Sequence, residues 1–161
     1  MATRSKERSE LSSSDEWDLV AVDPREDEAF GLPDIYGWEP VLKPFLEKVC
    51  ARSDGMICPA DILQLAYDEL LYLWVIVCDK TIHGFIGTVI QELPRMRVAK
   101  ITLAASEPHT QDKWLGITLQ RVEEWAREEE CSILEIEGRA GWAKFLPEPY
   151  KPAMVTYRRE I

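Results

Sequence analysis

The sequence predicts an α/β fold of the mixed (α+β) kind: a central, mostly antiparallel sheet with helices on both faces. Three observations carry that expectation. Leu71–Cys78, Thr81–Glu92 and Arg95–Ala105 are successive apolar, β-rich segments joined by Asp79-Lys80 and Leu93-Pro94; links that short pair strands antiparallel, as a meander. Thr110–Glu130 then carries Leu115, Leu119, Val122 and Ala126 on one face and Glu123, Glu124, Arg127 and Glu128 on the other, the pattern of an amphipathic helix. Ser132–Glu137, with Ile133, Leu134 and Ile136, follows as a short strand. A helix between two strands makes a βαβ-like crossover, so the sheet is expected to be mixed.

The remaining elements follow in order. Residues 1–15 are rich in Ser, Glu, Lys and Arg and offer only Leu11 for burial, so they read as a flexible polar tail. The rest, 16–161, is expected to form a single domain. Trp17–Val22 alternates as a first strand, halted by Asp23-Pro24. A helix fits Glu39 to about Ala51, with Val41, Leu42, Phe45, Leu46 and Val49 at helical spacing. Pro44 sits awkwardly there, so this helix either starts at Pro44 or is kinked by it. Pro59–Leu70 restarts as a second helix on Ile62, Leu63, Leu65, Ala66 and Leu70. After the strand over 132–137, a short helix is expected at Ala140–Leu146, and Met154–Arg159 reads as a final strand beyond Pro147 and Pro149.

Composition excludes some functions. The chain has 161 residues and a formal net charge of −10, a poor match for gripping nucleic-acid phosphates. The longest apolar stretches, Leu70–Cys78 and Ile82–Ile90, are far short of a bilayer span, and Met1–Asp15 has no signal-peptide core. Cys50, Cys58, Cys78 and Cys131 lie far apart, with no C-x-x-C pair and no His pair at ligand spacing. They read as reduced, mostly buried thiols, with no metal site expected.

One segment has a more particular look. Leu134-Glu135-Ile136-Glu137-Gly138-Arg139-Ala140-Gly141-Trp142 runs from a strand into G-R-x-G-W, and is accompanied by Leu73-Trp74-Val75, the Gly84–Thr88 stretch and Glu124-Trp125-Ala126. With the order of elements, these residues resemble the GNAT superfamily of acyl-CoA-dependent N-acyltransferases over about Trp17 to Ile161, closest to short GNAT-like proteins of tailed bacteriophages. The resemblance implies a GNAT-like sheet and, for an active member, acetyl-CoA as the acyl donor.

Acyl-CoA-binding members carry an Arg/Gln-x-x-Gly-x-Gly/Ala loop whose backbone N–H groups and following helix N-terminus hold the diphosphate. Here the corresponding stretch runs from Ala104 to Gly116. Gln111 matches the first position, but the two small positions fall on Trp114 and Gly116, and Glu107 and Asp112 bring negative charge that Lys113 offsets only partly. The cofactor-binding positions the resemblance singles out are Leu103, Ala105, Gln111, Lys113 and Gly116.

No catalytic residue is fixed by a motif. Glu92, His109, Glu135 and Glu137 are bases by type and Tyr150 and Tyr157 acids by type; of these Glu92, His109 and Tyr157 are carried forward. Gly138, Arg139, Gly141 and Trp142 read first as architecture: a turn, a close backbone approach and a core anchor.

Two functions follow. With so poor a cradle, the reading favoured is a GNAT-fold protein that binds no cofactor and acts by contact with a viral or host protein, as a virion-associated component or a host-directed effector. It would work in the host cytoplasm or the virion, without membrane or nucleic acid, and with self-association left open. The alternative is an acetyl-CoA-dependent N-acetyltransferase acting on an amine of a small molecule or protein. The two differ at the gap expected between the third meander strand and the strand after the long helix. An enzyme keeps it open; a contact protein fills it, with Trp114 as the natural plug.

Overall fold

A computed structural model describes residues 16–25 and 34–161; the expected tail, 1–15, lies outside the described residues. The elements are β1 (Trp17–Ala21), α1 (Glu39–Ala51), α2 (Pro59–Tyr67), β2 (Tyr72–Cys78), β3 (Thr81–Leu93), β4 (Met96–Ser106), α3 (Gln111–Glu128) and β5 (Ile133–Ile136). Short 3-10 turns at Ile35–Trp38 and Ala140–Lys144 complete the described chain.

The strands form one sheet in the order β1-β2-β3-β4-β5. The meander is antiparallel throughout, and β5 joins β4 in parallel after the α3 crossover. Asp79 and Lys80, the two linking residues of the β2–β3 hairpin, both have positive φ (49° and 62°), the backbone twist that a two-residue hairpin favours.

Helices cover both faces because strand side chains alternate. On β2, Leu73 and Val75 join Leu42, Phe45 and Leu46 of α1 and Ile62, Leu63 and Ala66 of α2 in one core. Trp74 and Ile76 point the other way, into a second core with Trp114, Leu115, Leu119 and Val122 of α3. Helix α1 begins at Glu39 and runs through Pro44. Proline there removes one ladder bond, and burial of Leu42, Phe45, Leu46 and Val49 holds the segment helical regardless. The turn at Ile35–Trp38, missed by the sequence pattern, is capped by Asp34, whose carboxylate accepts from Tyr36 N and Gly37 N, and it buries Ile35 and Trp38 completely.

Two expectations need correction. Helix α2 stops at Tyr67 rather than Leu70, with Glu69 at φ 58° breaking the helix. The expected strand over Met154–Arg159 is not formed: residues 151–161 have no regular structure and lie exposed, Met154 and Tyr157 almost fully. Strand propensity there finds no ladder, and Pro147, Pro149 and Pro152 remove donors just ahead of it.

Candidate functional site: a gap between two parallel strands

Strands β4 and β5 pair only from Val98↔Ile133 to Ile101↔Ile136. One further bond, Glu137 N to Ile101 O at 2.9 Å, closes the ladder. From there β5 turns off at Gly138, while β4 runs on to Ser106. Beyond Ile101, that edge of β4 therefore has no strand against it among the described residues.

Two local features open the strands. Gly87 pairs with Leu103 but Thr88 pairs with Ile101, so Thr102 is an extra residue on β4, a bulge that bends the strand. On the other side, a Cβ at Gly138 would stand 2.9 Å from Cδ1 of Trp142. Only glycine lets the indole lie that close as the chain leaves the sheet.

The gap holds a cavity of about 320 Å³. Its lining includes Ile101, Thr102, Leu103 and Ala104 of β4, Ile136 to Arg139, and Trp114, Leu115, Thr118 and Leu119 of α3; Val49 of α1 and Arg52, Ser53, Met56 and Ile57 just after it line the rest. Since α1 and α3 cover opposite faces of the sheet, the cavity connects the two faces. An outer compartment of about 570 Å³ adjoins it and shares Arg52, Ala104, Trp114, Arg139 and Trp142; Ala105, Ser106, Gln111, Gly141, Lys144 and Phe145 complete its wall.

Trp114 forms the wall of this gap rather than its stopper. The ring is 2% exposed, its Nε1 donates to Thr110 Oγ1 at 3.1 Å, and it meets Trp142 edge-on with centroids 6.0 Å apart. Thr118, 1% exposed, presents a buried hydroxyl with no hydrogen-bond partner among the described residues.

The electrostatics run against the chain's overall charge. Arg52, Arg139 and Lys144 line the two compartments, and none forms a salt bridge among the described residues. Among the described residues, Glu137 is the single carboxylate in either wall, 3.4 Å from Lys100 Nζ. Glu107 and Asp112 line neither compartment; Glu107 is turned to His83, 2.8 Å away.

The residues singled out from sequence fall in three places. Leu103, Ala105, Gln111, Gly138, Arg139, Gly141 and Trp142 line the gap or its outer compartment. Lys113 and Gly116 are exposed on α3 and line neither. Glu92 sits at the far end of β3, paired with Arg97 at 3.4 Å; His109 is an exposed loop residue with φ 61°, and Tyr157 is exposed in the C-terminal segment. Tyr150 is committed elsewhere: its hydroxyl donates to Glu123 Oε1 at 2.5 Å, and burial together with that bond pushes its pKa well above the usual tyrosine value. Burial likewise pushes the Cys50 and Cys131 thiols up, the opposite of what activates a nucleophile. No cluster of possible metal ligands occurs among the described residues, and no helix there is long and apolar enough to cross a membrane. Arg52, Lys144 and Thr118 belong to no motif, and only their position in the fold reveals them.

Solved acetyltransferases share this fold over most of the chain. An aminoglycoside acetyltransferase from an uncultured soil metagenomic sample, in complex with sisomicin, superposes with a TM-score of 0.64 at 13% identity, covering 90% of this chain and 96% of the other. A GNAT family acetyltransferase of Staphylococcus aureus gives 0.58 at 10% identity, covering 90% and 98%. The fold is that of the GNAT acetyltransferases. An aminoglycoside N-acetyltransferase in complex with CoA also shares this GNAT fold, with a TM-score of 0.56 at 11% identity, covering 91% and 96%. No family model and no curated protein matches the chain.

Proposed function

We propose that this protein is an acetyl-CoA-dependent N-acetyltransferase. The observation that carries the reading is the open gap between β4 and β5. A protein acting only by contact had reason to fill it, and Trp114, the side chain best placed to do so, is packed into the wall instead.

The residues present fit acetyl-CoA without a glycine cradle. The apolar cavity suits a slender, uncharged arm, and Arg139 and Lys144 on the outer compartment suit phosphates. Gln111 opens α3 at the same compartment, and a helix N-terminus adds N–H groups and positive potential. When bound, acetyl-CoA supplies an acetyl group activated as a thioester.

The chain's own part is to position and to accept a proton. Leu103, Ala104, Ile136 and Trp114 exclude water around the slot. Glu137, held beside Lys100 just after β5, would take the proton that the acceptor amine loses on acylation. Bound acetyl-CoA would supply the leaving thiolate, which keeps the electron pair of the thioester bond.

Calorimetric titration of acetyl-CoA, with thermal melting alongside, tests the reading. Micromolar binding with a raised melting temperature is expected; no heat up to about 1 mM refutes it. Glu137→Gln is expected to lower kcat by about 10²–10⁴-fold with acetyl-CoA affinity retained, and unchanged turnover removes Glu137 from the mechanism.

A further inference from the structure

The strand-like segment over Met154–Arg159 takes no part in the sheet of its own chain. Residues 151–161 lie exposed and make no backbone-to-backbone hydrogen bond among the described residues. In an extended chain Val155 and Tyr157 fall on one side, and Met154, Thr156 and Arg158 on the other. The segment is also basic in an acidic protein: Lys151, Arg158 and Arg159 stand against Glu160 alone.

An open edge of matching chemistry lies on β5. This strand ends the sheet and pairs only with β4, so its outer edge has no strand against it among the described residues. None of its four residues is buried, and Ile133 is exposed. Leu134 and Ile136 pack against the α3-side core and stay only partly covered. Glu135 and Glu137 share Lys100, at 3.5 and 3.4 Å, which leaves that edge one negative charge in excess. Such an unpaired edge is a template for a further strand.

Within one chain the segment does not run along that edge. Tyr150 is fixed on α3 through Glu123, and Arg158 reaches Asp54, in the loop after α1, at 3.0 Å. Since α3 and α1 cover opposite faces of the sheet, the segment crosses from one face to the other. The Arg158–Asp54 pair is exposed at both ends and holds it weakly.

We propose that two copies of this protein associate by exchanging this segment, each laying Met154–Arg159 antiparallel along β5 of the other. The register sets Val155 beside Ile136 and Tyr157 beside Leu134, extending the α3-side core. Arg158 then lies diagonal to Glu135 on the opposite side, within reach of a long side chain. The exchange is reciprocal, so the interface closes as a two-fold dimer. It does not depend on the acetyltransferase reading above.

Sedimentation velocity of the full chain over about 1–200 μM, with hydrogen exchange on the same samples, tests it. A dimer is expected, with the amides of β5 and of residues 154–159 slowed in it. In the monomer, reached by dilution or by Tyr157→Asp, those of 154–159 exchange freely. Tyr157 is 91% exposed, so its replacement does not burden folding. Tyr157→Asp is expected to weaken the dimer at least about tenfold. Arg158→Glu is expected to weaken it likewise, although it also frees the segment from Asp54. Adding Glu135→Arg to that variant is expected to recover most of the loss.

A monomer over the whole range overturns the proposal, as does unchanged association in Tyr157→Asp. A dimer whose residues 154–159 exchange as freely as in the monomer also overturns it, because another face then joins the copies. Protection of the segment in the monomer does the same, since the strand would then lie within its own chain.

Discussion

Trp114 decides how the gap is built, and it can be tested by removing it. The indole is buried in the core between the sheet and α3, beside Trp74, Ile86 and Ile101. Truncating a buried tryptophan costs about 3–5 kcal/mol, part from lost transfer energy and part from the cavity left behind. In a chain of 161 residues that corresponds to a fall in Tm of roughly 6–20 °C. Trp114→Phe keeps a ring in place but loses the 3.1 Å bond to Thr110, for a cost of about 1–2 kcal/mol. Urea denaturation followed by far-UV circular dichroism, with thermal melts as a second probe, measures both variants. The order wild type, Trp114→Phe, Trp114→Ala in falling stability is expected, with the steps above. If Trp114→Ala loses less than about 1 kcal/mol and binds acetyl-CoA more tightly than wild type, the ring is a plug in an otherwise intact slot. The reasoning about the gap would then be wrong.

Two further perturbations probe the frame around the site. Gly84 lies under β4: an added Cβ would stand 2.4 Å from Ala105 O and 2.7 Å from Ser106 Cα, both backbone atoms. Gly84→Ala is therefore expected to cost about 1–3 kcal/mol and to weaken acetyl-CoA binding by moving the open end of β4; wild-type stability would show that the strands have slack there. Tyr150 predicts a pH dependence. Its phenol holds its proton more firmly in the folded chain than the ordinary 10.0. The unfolded chain releases that proton first, so the stability from this contact is present below pH 10 and declines as pH rises above it. The stability advantage of wild type over Tyr150→Phe should shrink between pH 9 and 11 in urea titrations, and a constant or growing difference would contradict the assigned bond to Glu123.

The fold was legible where local chemistry and tertiary environment agree. Asp79-Lys80 between two β-rich runs can hardly be anything but a hairpin, and the apolar stripe from Leu115 to Ala126 is buried as its period demands. The strand expected at Met154–Arg159 failed because propensity alone does not supply a neighbouring edge. At the site, the G-R-x-G-W segment is where both of its readings meet. Gly138 and Trp142 serve the architecture, and the same contact fixes the wall of the gap, with Arg139 beside it. What stayed hidden were effects of assembly. The bulge at Thr102 exists only in the pairing of β3 with β4. Arg52 and Lys144 are far apart in sequence and line one compartment only once α1 and the turn after β5 are in place. A net charge summed over the chain conceals that local positive surface.

A gap that opens on both faces of the sheet has a kinetic meaning for the proposed reaction. Were donor and acceptor to reach the gap from opposite faces, neither would have to vacate its place for the other to arrive, and both could be held at once. Direct transfer in a ternary complex then needs no acyl-enzyme, in keeping with thiols that burial has made poor nucleophiles. Initial-rate plots against either substrate would intersect rather than run parallel, and each product would have its own way out.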